Sequence, residues 1–146
     1  MTAKEQMIEV WLATGEKNLA DFERTPFHDM LNNSSRDHWT DVFENHPGDA
    51  LKRLSDLLSE AKISEDQTKS INKGHCWELG LNTPRKVKFK GRRDYAYRFI
   101  TAILTTTPLS PKNVVRHLCH NRNCVCPDHL LVGTHQQNYQ DELNRR

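Results

Sequence analysis

The sequence predicts an α+β protein, with a helical N-terminal region over residues 1–70 followed by a mixed unit over residues 71–146. Three observations lead there. Apolar residues recur at spacings of three and four through the first seventy positions. After Gly74 that pattern gives way to short strand-like runs and a glycine turn. The stretch RHLCHNRNCVCPDH, Arg116 to His129, then packs three of the chain's four cysteines and three of its eight histidines into fourteen residues.

The elements follow in order. Thr2 and Glu5 form a capping box ahead of Met7, Ile8, Val10, Trp11 and Leu12. Ser34 or Ser35 caps a short helix that buries Trp39, Val42 and Phe43, and Leu51, Leu54, Leu57, Leu58 and Ala61 make a helical stripe after Pro47 and Gly48. These faces read as core, with a dimer contact as the alternative. SEDQTKSINK, Ser64 to Lys73, reads as a loop. CWEL and RKVKFK are strands and Gly91 suits a turn. Tyr95, Phe99, Ile100, Ile103 and Leu104 line a helix that Pro108 stops. NVV and LLV are strands either side of the cysteine loop, and Thr134 with Gln137 caps a last helix through about Asn144.

At 146 residues the chain can bury a core without disulfides. No run approaches eighteen apolar residues, and MTAKEQMIEV lacks the layout of a secretory signal, so a soluble intracellular protein with no membrane partner is expected. In a reducing compartment clustered cysteines are metal ligands or catalytic groups before they are disulfides. The net charge of +2 is uneven: residues 1–70 carry 8 Lys/Arg against 14 Asp/Glu, and residues 71–146 carry 13 against 5. The basic half calls for a polyanionic partner.

Cys119, Cys124 and His129 recur every five residues in a loop broken by Pro127, a spacing that suits tetrahedral Zn²⁺. Cys76 is the natural fourth ligand, on a strand expected to pair with NVVRH; His120 or Cys126 are the alternatives. Cys126 itself sits too close to Cys124 to share the site comfortably and reads as a small buried thiol. His117 enters the loop two residues before Cys119. Held there neutral it can take a proton from water; the plainer reading is a structural histidine. Asn138, in the first turn of the last helix, offers a hard oxygen suited to Mg²⁺.

HLCHNRNCVCPDHLLVGTHQQN, with CWEL upstream and VVR just before it, resembles the HNH or His-Me finger nucleases, and within them the zinc-binding homing endonucleases with a His-Cys box. The resemblance covers about residues 75–144. It implies a zinc-stapled ββα-metal core in which His117 is the general base, Asn138 holds a catalytic Mg²⁺, and Cys76, Cys119, Cys124 and His129 bind a structural Zn²⁺. It further implies that the Cys124 carbonyl holds the useful tautomer of His117. Relatives commonly carry Asn at the place of Cys126 and a histidine near Tyr97, which are departures here.

The implied activity is Mg²⁺-dependent endonucleolytic hydrolysis of double-stranded DNA, site-specific as in homing enzymes. A non-catalytic zinc module and a nonspecific nuclease are the alternatives. Arg85, Lys86, Lys88, Lys90, Arg92, Arg93 and Arg98, with Arg116 beside the base, are the expected DNA contacts; Lys86, Lys88 and Lys90 should share one strand face. One of Arg92, Arg93 or Arg98 is expected to neutralise the reacting phosphate. Cutting both strands needs a homodimer, for which the helical N-terminus is the expected contact; a monomer would nick.

Overall fold

The structure, a computed structural model, describes residues 2–22, 33–64, 75–80 and 83–145. Thr2 starts helix α1, Ala3–Ala20: its hydroxyl accepts from the Glu5 amide at 3.1 Å and donates back to the Glu5 carboxylate. Ile8, Trp11, Gly15 and Leu19 turn inward. Met7 and Val10, grouped with them by sequence, stay 40% and 64% exposed, because a helix packed on one side buries a single stripe.

Helix α2, Asn33–Asn45, buries Trp39, Val42 and Phe43 as expected. It begins earlier than the serine caps would allow. Ser34 and Ser35 both lie inside it, and the buried Ser35 hydroxyl instead accepts a 3.0 Å hydrogen bond from Arg92 Nη2. Helix α3, Pro47–Glu60, has proline at its start, where the missing N–H loses nothing, and turns Ala50, Leu54, Leu57 and Leu58 inward. The loop expected over Ser64–Lys73 lies, beyond Ser64, outside the described residues.

Strand β1, Lys62–Ile63, pairs antiparallel with β2, Trp77–Glu78. Strands β3, Lys86–Phe89, and β4, Arg92–Tyr95, form a hairpin closed by Lys90 and Gly91, whose φ values of 49° and 85° are both left-handed. Where RRDY was expected to lead straight into a helix, it is therefore a strand first. Helix α4, Ala96–Thr105, follows at once and buries Phe99, Ile100, Ala102 and Ile103. It closes before Pro108: Thr106 turns left-handed and the Thr107 amide reaches back to the Ala102 carbonyl at 3.0 Å. Strands β5, Asn113–His117, and β6, Leu130–Thr134, pair antiparallel, with the cysteine loop between them and helix α5, His135–Arg145, directly after. Thr134 and Gln137 cap α5 reciprocally, at 2.9 and 3.1 Å.

One apolar cluster runs from Ile8 to Cys126 and draws on both halves of the chain. Trp11 of α1 meets Trp77 of β2 edge to face at 5.1 Å, and Trp39 Nε1 of α2 donates to the Leu109 carbonyl at 2.9 Å. Helix α4 lies in contact with α1, α3 and both hairpins, and each fully buried Ile or Leu there stabilises the fold by about 1.5–3 kcal/mol. This core fixes the platform against which the cysteine loop is held. No helix among the described residues is long and apolar enough to cross a membrane.

Candidate functional site

The four expected zinc donors converge. Cys76, Cys119, Cys124 and His129 are all buried, and their ligand atoms lie within 4.8 Å of one another. His129 Nδ1 is 3.3 Å from Cys124 Sγ and 3.8 Å from Cys76 Sγ. A tetrahedral Zn²⁺ site has donor-to-donor edges of about 3.5–3.8 Å, so the set can hold a metal ion such as zinc with little movement. Charge points the same way. Hydrogen bonding with Cys124 pulls Cys119 down to about 5, and the same contact, with burial, pushes the Cys124 thiol far up. Burial also raises Cys76. Without a metal only Cys119 ionises readily; a cation among the three sulfurs would favour the thiolate form of all of them, since metal binding releases thiol protons.

The backbone places these donors from three directions. Cys76 immediately precedes β2, Cys119 lies in the turn that ends β5, and His129 closes a short 3₁₀ turn, Pro127–His129, before β6. Strand β2 does not pair with β5 as expected: it pairs with β1, and β5 pairs with β6. It reaches the loop instead through a Glu78–Cys124 bridge and a 2.7 Å bond from the Val125 amide to the Trp77 carbonyl. The Cys126 amide donates to Cys124 Sγ at 3.4 Å. Its own thiol stays outside the donor set, buried and pushed up to about 12 by that burial, as a small core residue would be. His120 is likewise outside the set.

On the other side of Cys124 lies a cavity of about 500 Å³, lined among others by Tyr97, His117, His120, Arg122, His135 and Asn138. The Cys124 carbonyl is 3.2 Å from His117 Nε2. A carbonyl only accepts, so that nitrogen carries the proton and Nδ1 is left as the acceptor. Tyr97 meets the imidazole edge to face at 4.5 Å. Burial, helped by the charge of Arg122 and opposed by the Cys124 contact, pushes His117 down to about 4, so the ring is neutral at pH 7. Asn138 is exposed in the first turn of α5, on the same cavity wall.

The expected DNA contacts separate into two groups. Lys88 faces Arg93 across the β3–β4 hairpin and Lys86 faces Tyr95, with its ammonium 5.3 Å from that ring; all three cations are exposed on the face away from Val87 and Phe89. Lys90 does not continue that face. It sits in the turn and pairs with Asp49 of α3 at 2.9 Å, while Arg85 pairs with Glu60 at the helix's other end. Arg92 is held by Ser35. Arg98, though it lines the cavity, commits its guanidinium to Asp94 and to the carbonyls of Ser110 and Asn113, at 2.7–3.0 Å. Arg116 is bound bidentately to Asp141.

Arg122, His135 and Glu142 on the cavity wall went unread in the sequence. The signals were present: Arg122 sits between two donors, so it must skirt the loop, and His135, Asn138 and Glu142 follow helical spacing.

Residues 105–140 match the family model described as HNH endonuclease, a stretch that contains three of the four cluster donors, His117 and Asn138 but neither Cys76 nor the basic hairpin. No curated protein and no solved structure matches the chain.

Proposed function

We propose, on the premise that residues 105–140 belong to the HNH endonuclease family, that the chain is a DNA endonuclease of the His-Me finger type with a structural Zn²⁺. The observation that carries this reading is the His117–Cys124 contact. One residue supplies a thiol to the buried cluster and, through its carbonyl, engages Nε2 of His117 and so leaves Nδ1 as the acceptor on a residue that lines the same cavity as Asn138. A β5–β6 hairpin followed directly by α5 supports the ββα assignment.

In this mechanism His117 Nδ1 takes a proton from a water as its oxygen attacks phosphorus, and the P–O3′ bond breaks to leave a 5′ phosphate and a 3′ oxygen that is protonated from solvent. The Asn138 amide oxygen, with phosphate oxygens, would hold Mg²⁺, which stabilises the charge building on the phosphate. Arg122, exposed on the same wall and without an ion pair among the described residues, would meet an incoming phosphate. The outward face of Lys86, Lys88 and Arg93 grips the duplex. Paired copies would cut both strands, whereas one copy would nick.

The test is cleavage of supercoiled DNA in Mg²⁺, including DNA from the protein's own genome, by wild type and His117→Ala, with bound zinc measured in both. Linear product from wild type and none from the zinc-loaded variant is expected. Equal cleavage by both defeats the assignment of the base, and binding without cleavage by either replaces the nuclease with a zinc-containing DNA-binding module. Discrete fragments mark a site-specific enzyme; a smear marks a nonspecific one.

A further inference from the structure

We infer that the Arg116–Asp141 pair is a brace that sets the position of Asn138 relative to His117, so that both are positioning residues rather than DNA contacts; the inference rests on the nuclease reading above. Arg116 precedes His117 on β5, and Asp141 lies one turn beyond Asn138 on α5, where residues three apart share a helix face. Arg116 Nε donates to Asp141 Oδ2 at 2.6 Å and Nη2 to Oδ1 at 2.7 Å, a fork that fixes angle as well as distance.

Two further observations give the pair its weight. None of the described residues of α5 is buried, and neither Tyr139, 64% exposed, nor Leu143, 38% exposed, is among the hydrophobic residues packed against the core. Polar contacts tie it down, among them the Thr134–Gln137 cap, a 3.3 Å contact of His135 Nε2 with the Pro111 carbonyl, and the Arg116 fork. The strand also makes room for that arginine. A Cβ on Gly133 would lie 2.5 Å from Arg116 Cδ and 2.7 Å from Gln137 Oε1, so any side chain at 133 displaces the brace and disturbs the cap together.

A helix held in this way can shift without opening the core. Asp141→Asn keeps the shape and loses the charged fork, and Gly133→Ala pushes Arg116 aside. Both should raise the Mg²⁺ concentration needed for half-maximal cleavage by about 10- to 100-fold, as removal of a partner behind a metal ligand does. Bound zinc and DNA affinity should not change. The readout independent of cleavage is amide hydrogen exchange: α5 should exchange faster in both variants while β5 and the cysteine loop stay protected. Arg116→Asp combined with Asp141→Arg should restore part of the protection.

Unchanged exchange in α5 overturns the brace whether or not the protein cuts DNA. Faster exchange with an unaltered Mg²⁺ requirement overturns its link to Asn138. If Asp141→Asn binds DNA more tightly than wild type, Arg116 is a masked phosphate contact and the inference fails in the opposite direction. A wild type that binds DNA without cutting it would defeat the nuclease reading alone, leaving the exchange result to judge the brace.

Discussion

Two sites sit back to back in this molecule, and they are built on opposite principles. The Cys76, Cys119, Cys124 and His129 cluster is 0–5% exposed, drawn from the approach to β2, the loop after β5 and the 3₁₀ turn before β6, and enclosed by the same core that holds Trp77 and Ile100. The cavity on its far side is open, and one wall is a helix with no buried residue among those described. Cys124 belongs to both, its sulfur facing inward and its carbonyl bonded to His117. The difference teaches that the sulfur side is fixed by burial and the helix side by polar contacts at its surface. His117 is placed by the first and Asn138 by the second.

The largest effect should come from breaking the buried side. Cys124→Ser leaves three donors and a crowded, uncompensated pocket, and structural zinc sites carry folding free energy outright, about 10–16 kcal/mol in isolated zinc-finger peptides. With a shared core to fall back on, we expect loss of bound zinc and a fall in Tm of roughly 10 °C or more, read by metal analysis and thermal unfolding. A variant that keeps its zinc and its Tm would mean that Cys126 can replace Cys124 as a donor.

His117→Ala should do the reverse. Cleavage is expected to fall by about 10²- to 10⁴-fold, the range for a positioned base, while zinc content, Tm and DNA affinity stay near wild type. A collapse of Tm along with activity would show that the two sites are not separable, and that the imidazole is a structural prop for the Cys124 carbonyl.

How much of this contrast was legible depended on whether partners lie near in sequence. Cys119, Cys124 and His129 announce themselves by spacing, and the Thr134–Gln137 cap by its three-residue step. Cys76 was legible by residue type, but its route to the loop was not: nothing local says that a two-residue strand will meet Val125 rather than β5. Strand β4 was hidden because RRDY carries three charges, although Lys90-Gly91 was a hairpin turn in plain view. The fate of the arginines was the least readable. Arg98 and Asp94 are four apart and could be paired on paper, whereas Arg116 and Asp141, twenty-five apart, meet only once α5 has folded back on the sheet.

The hairpin sharpens the contrast from outside. Lys88 and Arg93 face outward without ion pairs among the described residues, whereas Arg85 and Lys90 are neutralised by Glu60 and Asp49. Replacing Lys88 and Arg93 with Ala should weaken DNA binding and lower the slope of log affinity against log salt by about two, one for each phosphate no longer neutralised. Replacing Arg85 and Lys90 should change that slope less. Equal changes from both pairs would mean that α3 releases its partners when DNA arrives. Titration of salt against filter-retained or fluorescently labelled duplex distinguishes the cases.

The smallest effect is one of pH. The Arg116 guanidinium holds the Asp141 carboxyl below its ordinary value of 3.8, so the folded state binds that proton less readily than the unfolded chain. Stability from the pair is therefore fully present above the unfolded value, constant through neutral pH, and lost as pH falls through the folded one. Because both side chains keep contact with solvent, the contribution should be under about 1 kcal/mol. Urea unfolding of wild type and Asp141→Asn should differ by that small, constant amount from pH 6 to 8 and converge only as pH falls below the lowered value of the folded carboxyl. A much larger gap at neutral pH would make the pair a stability element, with α5 as rigid as the buried cluster behind it. A small gap keeps α5 the wall fixed by polar contacts at its surface, since the fork then directs the helix without contributing much to the fold.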